Sequence, residues 1–87
     1  MKIGVGFAKT FFQRLEKLPL ALQEEVFEKI ELFRNSENHK MLRVHKLHGP
    51  MKDRCSFWAN YHIRIVFIYI KKNHAVLQQV GDHSLYD

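Results

Sequence analysis

Cysteine occurs once among the 87 residues, at Cys55, so no disulfide can form within the chain. A lone thiol suits a reducing compartment, and a cytoplasmic location is the expectation. No apolar run approaches the roughly 20 residues that a membrane-spanning helix needs. The opening MKIGVGF is interrupted too early to act as a secretory signal, so a soluble chain without a membrane partner is expected. Repeats and low-complexity linkers are also missing. One small domain over residues 1–87, with a single modest core, follows from that length.

Acidic residues are scarce in one place. Between Asn38 and Arg64 the only one is Asp53, against Lys40, Arg43, Lys46, Lys52, Arg54 and Arg64, whereas six glutamates lie between Glu16 and Glu37. The formal net charge of +5 is therefore concentrated in the second half, where a polyanion would be attracted. His39, His45, His48 and His62 fall in the same window.

The most continuous strand-forming run is RCSFWANYHIRIVFIYI, Arg54 to Ile70. Alternation from Tyr61 puts Tyr61, Ile63, Ile65, Phe67 and Tyr69 on one face. His62 and Arg64 then open the other face, which turns aliphatic afterwards. A central strand is expected, with His62 and Arg64 where the second face is uncovered. Cys55 to Asn60 forms its partner strand, and Asn60 is the expected turn residue.

Ile3, Val5 and Phe7 alternate as a short first strand. Ala8, Phe11, Phe12, Leu15 and Leu18 recur at helical steps up to Pro19. Leu22, Val26, Ile30 and Phe33 form the stripe of a second helix over 20–34. Lys71 to His74 read as a hairpin loop and Ala75 to Val80 as the last strand, with the tail GDHSLYD beyond it. The expected class is α+β: an N-terminal strand and an α-hairpin packed on an antiparallel-rich sheet of three to four further strands.

Taken singly, His39 and His74 read as solvated loop residues. The i, i+3 spacing of His45 and His48 suits a metal, but no cluster of carboxylates or cysteines completes a site, so neither a metal nor a cofactor is expected. Trp58 reads as a core residue or as an exposed platform for a base.

Four stretches in order, LEKLP (Leu15 to Pro19), HKLHG (His45 to Gly49), the run from Arg54 to Phe67, and VGDHSLY (Val80 to Tyr86), resemble the RelE/ParE superfamily of toxin–antitoxin toxins, in particular its histidine-rich HigB and YafQ types. The resemblance implies a microbial-RNase-like fold and cleavage of messenger RNA in the ribosomal A site. It also implies a cognate antitoxin as partner. His45 matches a motif histidine, Arg64 the shared sheet arginine, His83 the tail histidine and Tyr86 the terminal aromatic; His62 stands at a variable polar position. The RelE lysines are replaced by Cys55, Ser56 and Phe57, so a lysine-based mechanism does not carry over. The ParE branch shares the fold but inhibits DNA gyrase.

RNA supplies its own 2′-hydroxyl nucleophile. Histidine, with an unperturbed pKa of about 6.5, suits both proton transfers, and arginine suits the phosphate. The expected site assigns Arg64 to the scissile phosphate, divides the acid and base roles between His45 and His83 in either order, gives His62 to the support of Arg64, and Tyr86 to the substrate. Lys46, His48, Lys52, Arg54 and Trp58 would bind flanking RNA. A gyrase inhibitor and a non-catalytic RNA-binding protein are the alternatives.

Overall fold

The computed structural model describes residues 1–82. His83 and Tyr86 lie outside the described residues. The elements are β1 (Gly4–Phe7), α1 (Lys9–Leu15), α2 (Leu20–Phe33), β2 (His45–Lys46), β3 (Cys55–Trp58), β4 (Arg64–Lys71) and β5 (His74–Gly81), with short 3₁₀ turns at Ser36–Asn38 and Gly49–Met51. They form an α+β fold whose five strands lie in the order β1-β5-β4-β3-β2. Pairing is antiparallel from β2 to β5, as expected, but β1 joins β5 in parallel. A first strand that returns beside the last through two helices can make such a parallel pair.

Helix periodicity accounts for the core. Phe11 and Leu15 of α1, and Val26, Ile30 and Phe33 of α2, are the buried positions. Pro19 takes the N-cap position of α2, directly before its first helical residue. Phe11 meets Phe7 of β1 at 5.4 Å between ring centres, and Phe33 stacks on Phe57 of β3 at 4.5 Å. Both helices therefore cover the same face, which also presents Ile65, Phe67, Leu77 and Val80. Leu77 and Val80 are three residues apart, an odd spacing that straight strands cannot place on one face. A register shift between Val66 and Phe67 resolves this, and Thr10 Oγ1 donates to Gln78 O there at 2.7 Å.

Two expectations are corrected. First, β4 begins at Arg64; Tyr61 and His62 belong to the preceding turn, because Asn60 folds the backbone over 60–63. Second, the covering of β4 runs the opposite way. Arg64 to Phe67 are buried, whereas Tyr69 and Ile70 are exposed. The reason is length: the four residues of β3 pair only with Arg64 to Phe67, so β4 overhangs its neighbour from Ile68 onward.

His39 is likewise more than a solvated loop residue. Its ring stacks on Phe33 at 4.6 Å, and its Nε2 donates to Phe33 O at 2.8 Å. His74 is exposed, yet its ring lies 2.6 Å from where a Cβ on Gly4 would stand, so the missing side chain makes its room. No helix among the described residues is long and apolar enough to cross a membrane.

Burial raises the Cys55 thiol pKa above its ordinary value, partly opposed by the Lys46 ammonium. It raises the Tyr69 phenol too, with Cys55 adding to the shift. Both acids hold their protons more firmly folded than unfolded. Their contribution to stability is complete below the range where free thiols titrate and is lost as pH rises through the folded values. The melting temperature should therefore be flat near neutrality and fall above about pH 9. A Cys55→Ala variant, followed by circular dichroism, should show a shallower fall.

Candidate nucleic-acid interface

The site begins with a turn. Asparagine readily bonds nearby backbone, and Asn60 does so twice, its Oδ1 accepting from the N–H groups of His62 and Ile63, each at 2.8 Å. Its Nδ2 donates to Glu25 Oε1 on α2 at 2.6 Å, fastening the turn to the helix. The Asn60 and Tyr61 carbonyls are thereby fixed beside the start of β4. Arg64 Nη1 donates to both, at 2.9 and 2.6 Å.

Arg64 is 8% exposed. Its guanidinium carbon stands 3.9 Å from the centre of the Trp58 ring. Among the described residues its charge is met by two carbonyls and an indole face, and no carboxylate lies within ion-pair distance. Besides Nη1, the guanidinium carries three N–H donors in a planar fork suited to phosphate.

A second turn brings another arginine to the same indole. Leu42 N–H donates to Asn38 O, and Arg43 N–H to Lys40 O. Trp58 N–H donates to Leu42 O at 2.8 Å, joining this turn to β3. Arg43 sits at φ +58°, and its guanidinium carbon is 4.3 Å from the Trp58 ring centre. Two planar cations so near one ring centre cannot share a face without overlapping, so the indole is held between them. Trp58 is thus half-buried with both faces taken, and offers no bare face to a base. The openly exposed aromatic is Tyr61, at 71%, with its ring edge-on to Trp58 and to His62.

Strand register sets the remaining placement. Opposed residues share a face. One row across the sheet is His45, Ser56, Val66 and Gln79; the next is Trp58, Arg64 and Gly81. His45, Trp58 and Arg64 therefore occupy the face opposite the helices. From strand spacing and rise, the Cα atoms of His45 and Arg64 are about 12 Å apart. His45 Nδ1 lies 2.7 Å from Arg43 O. A carbonyl only accepts, so Nδ1 carries the proton and Nε2 is the basic nitrogen of the neutral ring.

The other expected residues spread more widely. Lys46 pairs with Cys55, on the helix side of the sheet. His48 stands at the N-terminal end of the 3₁₀ turn without a capping hydrogen bond from its side chain and, with His45, Lys46, Leu47 and Met51, lines a cavity of about 250 Å³. Lys52 is exposed, and Arg54 is 4.0 Å from Asp53. His62 is exposed in the Asn60 turn, so it neighbours Arg64 through that turn and not along the strand face. Arg43, Glu25 and Tyr61 were not legible as site residues. Asn60 was legible as a turn former, and an aromatic directly after such a residue is the signal that could have marked Tyr61 as exposed.

No protein-family model matches the chain, and no curated protein sequence matches it significantly. Solved structures do match in shape. The toxin–antitoxin complex RelBE2 from Mycobacterium tuberculosis is 20% identical, covers 94% of this chain and 99% of its own, and superposes with a TM-score of 0.73. The archaeal RelE–RelB complex from Pyrococcus horikoshii is 17% identical, covering 94% of this chain and 96% of its own, with a TM-score of 0.70. The chain has the RelE-type toxin fold. YafQ from Escherichia coli has the same RelE-type fold at 6% identity, a TM-score of 0.70, and coverage of 99% of this chain and 100% of its own. At such identities the RelE-type fold is shared while the side chains of the site are this chain's own.

Proposed function

We propose that this chain is the toxin of a toxin–antitoxin pair, a metal-independent, cytoplasmic endoribonuclease that cuts messenger RNA in the ribosomal A site. The observation that carries the reading is Arg64: a cation held in place by two carbonyls and an indole, on the sheet face that also bears His45. Similarity to toxins solved with antitoxins supports a protein partner of that kind.

In this reading Arg64 grips the scissile phosphate and stabilises the charge gathering on it. His45 Nε2 takes the proton of the 2′-hydroxyl, and His83 returns one to the departing 5′-oxygen, leaving a 2′,3′-cyclic phosphate. His83 follows Gly81, the register partner of Arg64, by two residues. Tyr86 contacts the substrate, His62 neighbours Arg64 through the turn, and His48, Lys52 and Arg54 attract the flanking strand, whereas Lys46 is set aside because it lies on the helix side of the sheet. Stacking of a base falls to Tyr61 before Trp58, because Tyr61 has the uncovered ring.

The test is cleavage in a reconstituted translation reaction with 5′ ends mapped by primer extension, comparing the wild-type chain with His83→Ala. Cuts confined to translated codons, lost in the variant while its circular dichroism stays native, are the expected result. Intact messenger with blocked DNA supercoiling would replace this reading with gyrase inhibition. Salt-sensitive RNA binding without cleavage would replace it with a non-catalytic role.

A further inference from the structure

Arg43 combines three features that structure alone does not require. Its backbone is in the left-handed region at φ +58°, where a non-glycine residue is strained. Its side chain is exposed, yet it is laid on Trp58. Its carbonyl accepts from the ring of His45, so its placement and that of the proposed base are coupled. Both guanidinium carbons lie within about 4 Å of one ring centre, which puts them no more than about 8 Å apart. Neither is paired with a carboxylate among the described residues. Two like charges brought so close repel each other, and an anion that spans them along the edge of the indole offsets that repulsion. Planar forks match phosphate oxygens two at a time.

We infer that Arg43 and Arg64, held on opposite faces of Trp58, form a two-armed clamp for the phosphodiester backbone of a single nucleic-acid strand, with Arg64 the buried arm and Arg43 the outer one. The inference rests on reading this face as the RNA site and adds a contact that reading did not include. Successive phosphates of an extended strand are separated by a distance of the same order as the two guanidinium groups. Trp58 is the spacer that fixes their separation; it is also the sole tryptophan of the chain, so its emission reports on both arms.

The experiment titrates the full chain with a short single-stranded 2′-deoxy oligonucleotide, which lacks the attacking hydroxyl, at several salt concentrations and follows Trp58 fluorescence. The variant is Arg43→Gly. Glycine adopts φ +58° without strain, so the fold is kept while the guanidinium is removed. Expected are a change in the emission of the free variant, affinity weaker by on the order of tenfold, and a salt slope smaller by about 0.7, the share of one phosphate on a single strand. Altered emission with unchanged affinity and slope would overturn the clamp, leaving Arg43 as packing on Trp58. Displacement by poly-glutamate as effective as by the oligonucleotide would overturn the phosphate assignment. The two readings fail separately. Wild-type KM for messenger cleavage by Arg43→Gly overturns the clamp and spares the nuclease, whereas Arg43-dependent oligonucleotide binding by a chain that cuts no messenger supports the clamp and removes the nuclease.

Discussion

Replacing Arg64 by alanine is expected to lower the single-turnover cleavage rate by on the order of 10²- to 10³-fold, the scale seen when one preorganised donor to a developing charge is removed. Some stability should go with it. The carbonyls of Asn60 and Tyr61 lose their shared donor, and Trp58 loses the cation on one face. These carbonyls are only part-buried, so each lost hydrogen bond costs about 0.5–1.5 kcal/mol, and the variant should melt earlier but still fold. Arg64→Lys separates the two effects. It keeps the charge but lacks the planar group that spans both carbonyls and the ring, and its activity should stay low while part of the stability returns. Normal cleavage by a destabilised Arg64→Ala chain would make Arg64 a structural residue only and end its assignment to the phosphate.

Phe33→Ala should be the most damaging change to the fold. Phe33 is fully buried, stacks between Phe57 at 4.5 Å and His39 at 4.6 Å, and meets Phe67 edge-on at 4.9 Å. It therefore joins α2, the sheet and the loop that follows the helix. Truncating a core phenylalanine costs about 3–5 kcal/mol, a large part of the roughly 5–15 kcal/mol that holds a small domain together. Each kcal/mol lowers the melting temperature by about 4–8 °C in a chain of this size. Phe33→Leu, which leaves a smaller void, should lose distinctly less. A loss under about 1 kcal/mol for Phe33→Ala by urea titration would mean that the surrounding rings close over the gap.

Much of this architecture was readable because it repeats. Val26, Ile30 and Phe33 follow the helical period, and Ile65 and Phe67 follow the strand period, so the face they bury is fixed by spacing alone. Asn60 announced its turn through its own side-chain chemistry. The site was less readable because its contacts cross between elements. Alternation placed Arg64 on the second face, but only the shortness of β3 determines which end of that face is covered. Trp58 meets arginines from a turn before it and a strand after it, which no local pattern encodes. The strained Arg43 has no signature either, since arginine is not a residue that favours positive φ. His39 looked solvated because its partner, Phe33, belongs to the preceding helix.

The pairing of β1 with β5 also governs when the molecule comes into being. Gly4 is matched to His74 and Phe7 to Leu77, so the first strand emerges from the synthesising ribosome long before its neighbour exists. Such distant partners must wait for the intervening chain, and their late closure slows folding. Until β5 is made, β4 has lost one of its two neighbours and Arg64 lacks the register partner that completes its row. The complete five-stranded sheet therefore assembles only after the chain through Gly81 has been made.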